Sequence, residues 1–318
     1  MQTRPSHSDA RSGAASQQTS ATAPTSSSQT NTSPQAAIIV RQLSHQLSNG
    51  RALFNNLNLS LGFNCQALVG TNGTGKSLLA QLLAGKIAHQ GGVIQRQCPV
   101  AYLPQTHSKA PRQVVANFLG VSEILNALNR IEAGSCDTKD FELADNNWLL
   151  KDQLFTALDK CGLPQNLALP VSELSGGQQT KLALLKLSLT QARFFILDEP
   201  SNHLDQANRR WLQHWIAQQL SDPADSPKGV LLISHDRQLL NHTSSIFELR
   251  AQQLFHYGGN YQHYAAQRKR EAESARSTLE REQTTARKTL KTQKNKLGFV
   301  AKISSIFFVF VQISFVLW

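Results

Sequence analysis

The stretch Gly70-Thr71-Asn72-Gly73-Thr74-Gly75-Lys76-Ser77 has the spacing GxxxxGK(S/T). It follows one apolar run, Cys65–Val69, and opens another, Leu78–Ala84. A strand, a glycine-rich turn and a helix in that order make a phosphate-binding loop. Its glycines let backbone N–H groups converge on phosphate oxygens at a helix N-terminus, whose dipole favours anions. Lys76 is then placed to bridge the β- and γ-phosphates of a nucleotide, and the Ser77 hydroxyl to ligate Mg²⁺.

Two further motifs lie downstream. Phe194-Phe195-Ile196-Leu197-Asp198-Glu199 is a hydrophobic strand ending in two carboxylates. Alone it reads as a strand stopping at a solvated acidic turn. Behind a phosphate loop, Asp198 reads as the second Mg²⁺ residue and Glu199 as the group that polarises the attacking water. Leu174-Ser175-Gly176-Gly177-Gln178 precedes a helical stretch. Ser175 is its predicted N-cap, and Gly176 and Gly177 allow close approach of a phosphate.

Around these motifs the chain alternates. Ile38–Val40, Ala67–Val69, Phe194–Leu197 and Val230–Ile233 are short uninterrupted apolar runs, which suit strands buried on both faces of a parallel sheet. Lys76–Ala84, Gly176–Leu189 and Gln206–Leu220 are helical. The predicted fold class is α/β. Between about 113 and 169 the pattern is helical only, which predicts a helical subdomain inserted into the α/β core.

The flanks differ in texture. Residues 1–36 are mostly Ser, Thr, Gln and Ala with no aromatic residue, and read as a disordered tail; a transit peptide would want more Arg. Residues 260–297 predict a long polar helix, with ten Lys/Arg against four Glu. That helix carries +6 of the net +11 given by 32 Lys+Arg and 21 Asp+Glu over 318 residues. Such an excess favours a nucleic-acid or anionic-surface partner. From Ile303 to Trp318 there is no charge. As a helix that run is about 24 Å long, against a hydrocarbon core of roughly 30 Å, so a membrane span is marginal. The four cysteines, Cys65, Cys98, Cys136 and Cys161, lie far apart and form no CxxC. They read as reduced thiols of a cytoplasmic protein, not as a zinc site or a disulfide framework.

Taken in order, these motifs resemble an ATP-binding cassette (ABC) nucleotide-binding domain over about residues 37–259: a phosphate-loop core with a helical subdomain. The resemblance implies that ATP and Mg²⁺ are bound. It makes Gln105, in Ala101-Tyr102-Leu103-Pro104-Gln105, a residue near Mg²⁺ and the attacking water. His235, in Ile233-Ser234-His235-Asp236, becomes a contact of the γ-phosphate, and Asp205 the residue of the loop between the paired cassettes. The implied catalytic set is Glu199, His235 and Gln105. The implied metal set is Ser77, Gln105 and Asp198. The implied nucleotide contacts are Gly70–Ser77, Ser175, Gly176, Gly177, Gln178 and Asp205.

Three features resemble the ABC-F family, cassette proteins without membrane domains that act on ribosomes. Asp198–Asp205 reads DEPSNHLD, Gly259–Tyr264 reads GNYQHY, and the basic helix over 265–297 follows, in the place of a linker that contacts RNA. The resemblance implies an ATPase that pairs with a second cassette, because Ser175 and Gly177 must reach a nucleotide on a partner's phosphate loop. Its rivals are the ATPase subunit of a membrane transporter, an inactive cassette fragment, and a membrane protein anchored through 298–318. The chain departs from the family pattern in three ways. It carries one cassette where the family has two. Leu47 stands near where the family places an adenine-stacking aromatic residue. The composition changes abruptly at residue 298, as it would in a truncated or frameshifted product.

Overall fold

The computed structural model describes residues 36–316, except 48, 49, 51, 106–112, 203 and 222–225; within the last helix it describes backbone only for residue 290 and residues 292–316. The Ser/Thr-rich stretch thus falls outside the described residues up to 35, as do the side chains of the apolar run.

In chain order the elements are β1 (Ala36–Gln46), β2 (Ala52–Gly62), β3 (Cys65–Val69), α1 (Lys76–Leu83), β4 (Gly91–Arg96), β5 (Val100–Leu103), α2 (Val115–Leu119), α3 (Ser122–Glu132), α4 (Thr138–Ala144), α5 (Leu150–Lys160), α6 (Gly176–Ser188), β6 (Phe194–Asp198), α7 (Gln206–Leu220), β7 (Gly229–Ile233), α8 (Arg237–Leu240), β8 (Ser245–Arg250), β9 (Gln253–Gly258) and α9 (Tyr261–Val316). The fold is mixed α/β, as the sequence predicts. A six-stranded sheet runs β5-β6-β7-β3-β8-β9, parallel except for β9, and a three-stranded antiparallel sheet runs β2-β1-β4. Every residue of β3, β6 and β7 is buried, which is why each reads as an unbroken apolar run.

Ile38–Val40 differs from the expectation. It lies in β1, an antiparallel strand between β2 and β4, not in the parallel sheet. Ile38 and Val40 face the core while Ile39 is only half-buried, so the apolar run covers one face.

Parallel pairing brings the strand ends into line. Leu68 is opposite Ile233, Asp198 is opposite Ile233, and Val69 is opposite Glu248. The chain segments leaving β3, β6 and β7 therefore emerge side by side at the carboxyl edge of the sheet, where α/β folds bind ligands. Two apolar layers hold the sheet. One packs α1 and the antiparallel sheet against it through Leu79, Leu82, Leu83 and Phe54. The other packs α6 and α7 through Leu184, Leu187, Leu212 and Trp215. A third cluster joins α2 and α5 to α6 through Leu119, Leu154, Leu158, Leu182 and Leu185. The helical segment α2–α5 is closed at its base, where Val114 bridges Pro170, Val115 N–H donates to Leu169 O and Val171 N–H donates to Gln113 O.

α9 is one helix of 56 residues, about 84 Å long. The helix does not end near residue 297, where the polar stretch does, and the backbone stays helical through Gly298. A lone glycine costs a helix only about 1 kcal/mol, and no proline follows it. Among the described residues no helix is long and apolar enough to cross a membrane.

Candidate functional site

The phosphate loop leaves β3 at Gly70 and enters α1 at Lys76. Gly75, the N-cap of α1, has φ +99, and a Cβ there would lie 2.5 Å from Leu53 Cδ2, so both backbone and space require glycine. No side chain caps α1, which leaves the N–H groups of its first turn available to an anion. Lys76 is buried and donates from Nζ to Gly70 O at 2.8 Å and Thr71 O at 3.1 Å, spanning the loop it serves. Burial pulls its pKa down, against the charges of Glu199 and Asp198.

Asp198 closes β6 and is 1% exposed. Its Oδ2 accepts from the Tyr102 hydroxyl at 3.1 Å, while its buried Oδ1 has no hydrogen bond of good geometry. Burial pushes this carboxyl up, and Ser77, Tyr102 and Lys76 oppose the rise. A buried carboxylate oxygen without a partner, beside a hydroxyl and the phosphate loop, fits a hard cation such as Mg²⁺. No group of three or more His, Cys, Asp or Glu suited to a metal occurs among the described residues, so such a cation would depend on Ser77, Asp198 and phosphate oxygens.

Glu199 sits at φ +49, unusual for a side-chain-bearing residue. Its N–H donates to Ile233 O at 2.8 Å, which fixes the turn, and its Oε1 lies 3.2 Å from His235 Nε2. Holding glutamate in this region costs on the order of 1 kcal/mol and persists only where the surroundings impose it. Burial raises its pKa first; His235 and Lys76 pull it back and Asp198 adds to the rise. Gln105 is exposed and lines two adjoining clefts. One, about 410 Å³, runs from Leu47 and Leu53 past Lys76 and Ser77 to Asp198 and Glu199. The other, about 690 Å³, holds Asn72, Glu199, Arg209 and His235.

Ser175–Gln178 and Asp205 line neither cleft. Ser175 caps α6 in a reciprocal box: its Oγ accepts from Gln178 N–H at 3.3 Å, and Gln178 Oε1 accepts from Ser175 N–H at 2.9 Å. A Cβ on Gly176 would meet nothing within 4 Å, but one on Gly177 would lie 2.6 Å from Asn208 Nδ2. Gly177 thus packs closely against α7, whose N-cap Asp205 accepts from Asn208 N–H at 2.8 Å.

Sequence reasoning missed four supporting residues. Tyr102 is two strands' pairing away from being legible: only the β5–β6 register brings it to Asp198. Ser201 and Ser234 hydroxyls lie 3.3 Å apart, joining the segments after Glu199 and before His235. Arg209 donates to Leu204 O at 3.1 Å and pairs with Asp236 at 3.6 Å.

The basic helix is seated on the cassette by its first three turns. Arg268 pairs with buried Glu248 at 3.0 Å, and the Tyr257 hydroxyl donates to Glu271 at 3.1 Å. Tyr264 packs edge-on against Tyr257, and Arg237 lies over the Tyr261 ring. Arg268, one of the cations expected to face RNA, is thereby an internal anchor. Lys269 and Arg276 meet Glu273 and Glu280 at i,i+4.

Residues 54–202 match the family model of the ABC transporter. The chain is 32% identical over 237 residues to the uncharacterized ABC transporter ATP-binding protein YfmR of Bacillus subtilis, covering 68% of this chain and 36% of that protein. It is 30% identical over 258 residues to the energy-dependent translational throttle protein EttA of Haemophilus influenzae, covering 74% and 45%. The chain spans less than half the length of these relatives. A nucleotide-free ATP-binding cassette from an ABC transporter superposes with a TM-score of 0.53 at 16% identity, over 71% of this chain and 92% of that one, and shares its fold.

Proposed function

Because the chain carries an ATP-binding cassette of the ABC transporter family, we propose that it hydrolyses ATP and, as an ABC-F-like protein, acts on ribosomes in the cytoplasm. The observation that carries this reading is the seating of α9: a long basic helix leaves the cassette through the Glu248–Arg268 pair, beside a cleft that Glu248 and Tyr261 line together with Gly70, Asn72 and His235. The similarity to a protein named for translational throttling supports it.

In this reading Lys76 exchanges the carbonyls of Gly70 and Thr71 for phosphate oxygens, and the N-terminus of α1 receives the remaining negative charge. Ser77 and Asp198 hold Mg²⁺, with Gln105 at the cleft edge, and the ion supplies charge neutralisation at the phosphates. Glu199 takes a proton from the attacking water, a role that its burial-raised pKa suits. His235 holds the Glu199 carboxylate in place and reaches towards the terminal phosphate. Ser175, Gly176, Gly177 and Gln178 stand apart from this cleft and serve a nucleotide held by a second cassette, Ser175 and Gly177 at its γ-phosphate, with Asp205 at the joint. Closure of the pair excludes water, hydrolysis reopens it, and α9 carries the change to RNA.

The second reading is the ATPase subunit of a membrane transporter, favoured by the transporter naming of the family model and of YfmR. Sedimentation of the Glu199→Gln chain with ribosomes, and separately with lipid vesicles, with and without ATP, decides between them. ATP-dependent binding to ribosomes supports the first reading; binding to vesicles alone overturns it.

A further inference from the structure

We propose that Arg209 is a positioning residue for hydrolysis: it holds the turn that carries His235 in register with the chain that leaves Glu199. The inference deepens the hydrolytic reading above and rests on it. His235 stands between two residues, and each is held across to the segment that follows Glu199. On one side the Ser234 hydroxyl lies 3.3 Å from the Ser201 hydroxyl and accepts from Asp236 N–H at 3.0 Å. On the other side Asp236 uses both carboxylate oxygens. Its Oδ1 accepts from Gln238 N–H at 2.9 Å and so caps α8, and its Oδ2 lies 3.6 Å from Arg209 Nη1.

The Asp236 side chain is only 11% exposed. A carboxylate so far out of water needs a countercharge, and Arg209 supplies it from a different element. The same guanidinium donates from Nε to Leu204 O at 3.1 Å. One planar group thus grips the turn after His235 and the backbone just before Asp205. Arg209 stands in the first turn of α7, which the buried side chains of Leu212 and Trp215 fix against the sheet. A group held by a packed helix is placed more precisely than one held by a loop. Arg209 also lines the cleft of about 690 Å³ that contains Glu199 and His235. It acts through His235, whose Nε2 lies 3.2 Å from Glu199 Oε1. A displacement of about 1 Å in such a group costs about 10²-fold in rate.

The test compares phosphate release at saturating ATP with calorimetric binding of a non-hydrolysable ATP analogue, both on the full chain. The variants are Arg209→Gln, Arg209→Lys, Asp236→Asn and the double variant Arg209→Gln/Asp236→Asn, with exposed Arg210→Gln as the control. Arg209→Gln should slow release by about 10- to 100-fold and leave Kd within about twofold, the signature of lost positioning. Arg209→Lys keeps the charge but cannot reach Asp236 and Leu204 O together, so its rate should fall between the two. Asn caps a helix as Asp does, so Asp236→Asn keeps α8 and removes the charge that Arg209 meets. In that background Arg209→Gln should slow release by no more than about threefold further. Arg210→Gln should behave as wild type. An Arg209→Gln chain with near-normal turnover overturns the inference and leaves hydrolysis standing. So do losses that multiply in the double variant, since Arg209 would then act without Asp236, and so does loss of analogue binding in Arg209→Gln and Arg209→Lys alike. If the wild-type chain binds the analogue but releases no phosphate from ATP, the hydrolytic reading itself falls, and the inference with it.

Discussion

The imidazole Nε2 of His235 lies 3.2 Å from the Glu199 carboxylate, and the two residues leave neighbouring parallel strands, β7 and β6. The Glu199 N–H bond to Ile233 O ties the same two strand ends together. The pair is thus fixed by backbone register, and the group proposed to accept the proton is held by its neighbour. Glu199→Gln should keep nucleotide binding and lose hydrolysis by about 10²–10⁴-fold, because the amide keeps the shape and loses the basic oxygen. Phosphate release at saturating ATP measures the loss; near-normal turnover would remove Glu199 from the chemistry.

The pH dependence of hydrolysis follows from the same contact. Burial raises the Glu199 pKa and the charge of His235 lowers it. Only ionised Glu199 accepts a proton, so the rate should fall as pH drops through that pKa, above the usual glutamate range. His235→Ala removes a lowering influence, so the Glu199 pKa rises and the acid limb of the pH–rate profile should move to higher pH. An acid limb that stays in place, or moves down, would break the coupling between the two residues.

Asp198 carries a raised pKa and an unpartnered buried oxygen. A carboxyl whose folded pKa exceeds its unfolded value stabilises the fold fully only below the unfolded pKa; that stability is lost as pH rises through the folded pKa. At neutral pH, Asp198→Asn should therefore raise Tm without nucleotide by about 2–4 °C, the shift for a gain of about 1 kcal/mol in a domain of this size. The same change should abolish the extra stabilisation by Mg²⁺ over nucleotide alone. Differential scanning of both chains, with and without Mg²⁺, checks the two effects independently.

The parts of this site that sequence conveys are those written in consecutive residues. The spacing of Gly70, Gly75 and Lys76 states a loop and a helix start, and the unbroken apolar runs before Gly70 and Glu199 state buried strands. Contacts made by register or between distant helices are absent from any local pattern. Tyr102 reaches Asp198 only through β5–β6 pairing, and Gly177 meets Asn208 only because α6 packs beside α7. Arg268 illustrates the same limit on the surface. Among ten cations of similar spacing nothing local distinguishes the one that faces Glu248, so charge counting assigned it to RNA. Ile38–Val40 misled because an apolar run gives burial but not the direction of the neighbouring strand.

Gly177 and Asn208 should behave as a coupled pair. Gly177→Ala places a Cβ 2.6 Å from Asn208 Nδ2, so one side chain must shift, at a cost of about 1 kcal/mol. Asn208→Ala clears the space. A double-mutant cycle by chemical denaturation should return a favourable coupling of about 0.5–1 kcal/mol, whereas additive effects would mean that the helices adjust freely.

The anchor and the exposed cations of α9 should separate cleanly. Arg268→Gln leaves Glu248, 7% exposed, without its charge partner, and should cost about 2–4 kcal/mol of stability, as breaking a buried pair does. Replacing Arg270, Arg281, Arg287 and Lys291 with Gln should change stability by no more than about 0.5 kcal/mol each, because all four are exposed. If these four meet RNA phosphates, each contact releases counterions, and log affinity falls with log salt by roughly 0.7–0.9 per contact. Binding of the wild-type chain to ribosomal RNA should then weaken steeply from low to moderate salt. The four-fold variant should show a slope shallower by about 3, with unchanged basal ATP hydrolysis, since none of the four lines the clefts around Lys76. Equal slopes would mean that this stretch of α9 does not touch RNA; the ribosomal role would fall, and hydrolysis at Glu199 would stand by itself.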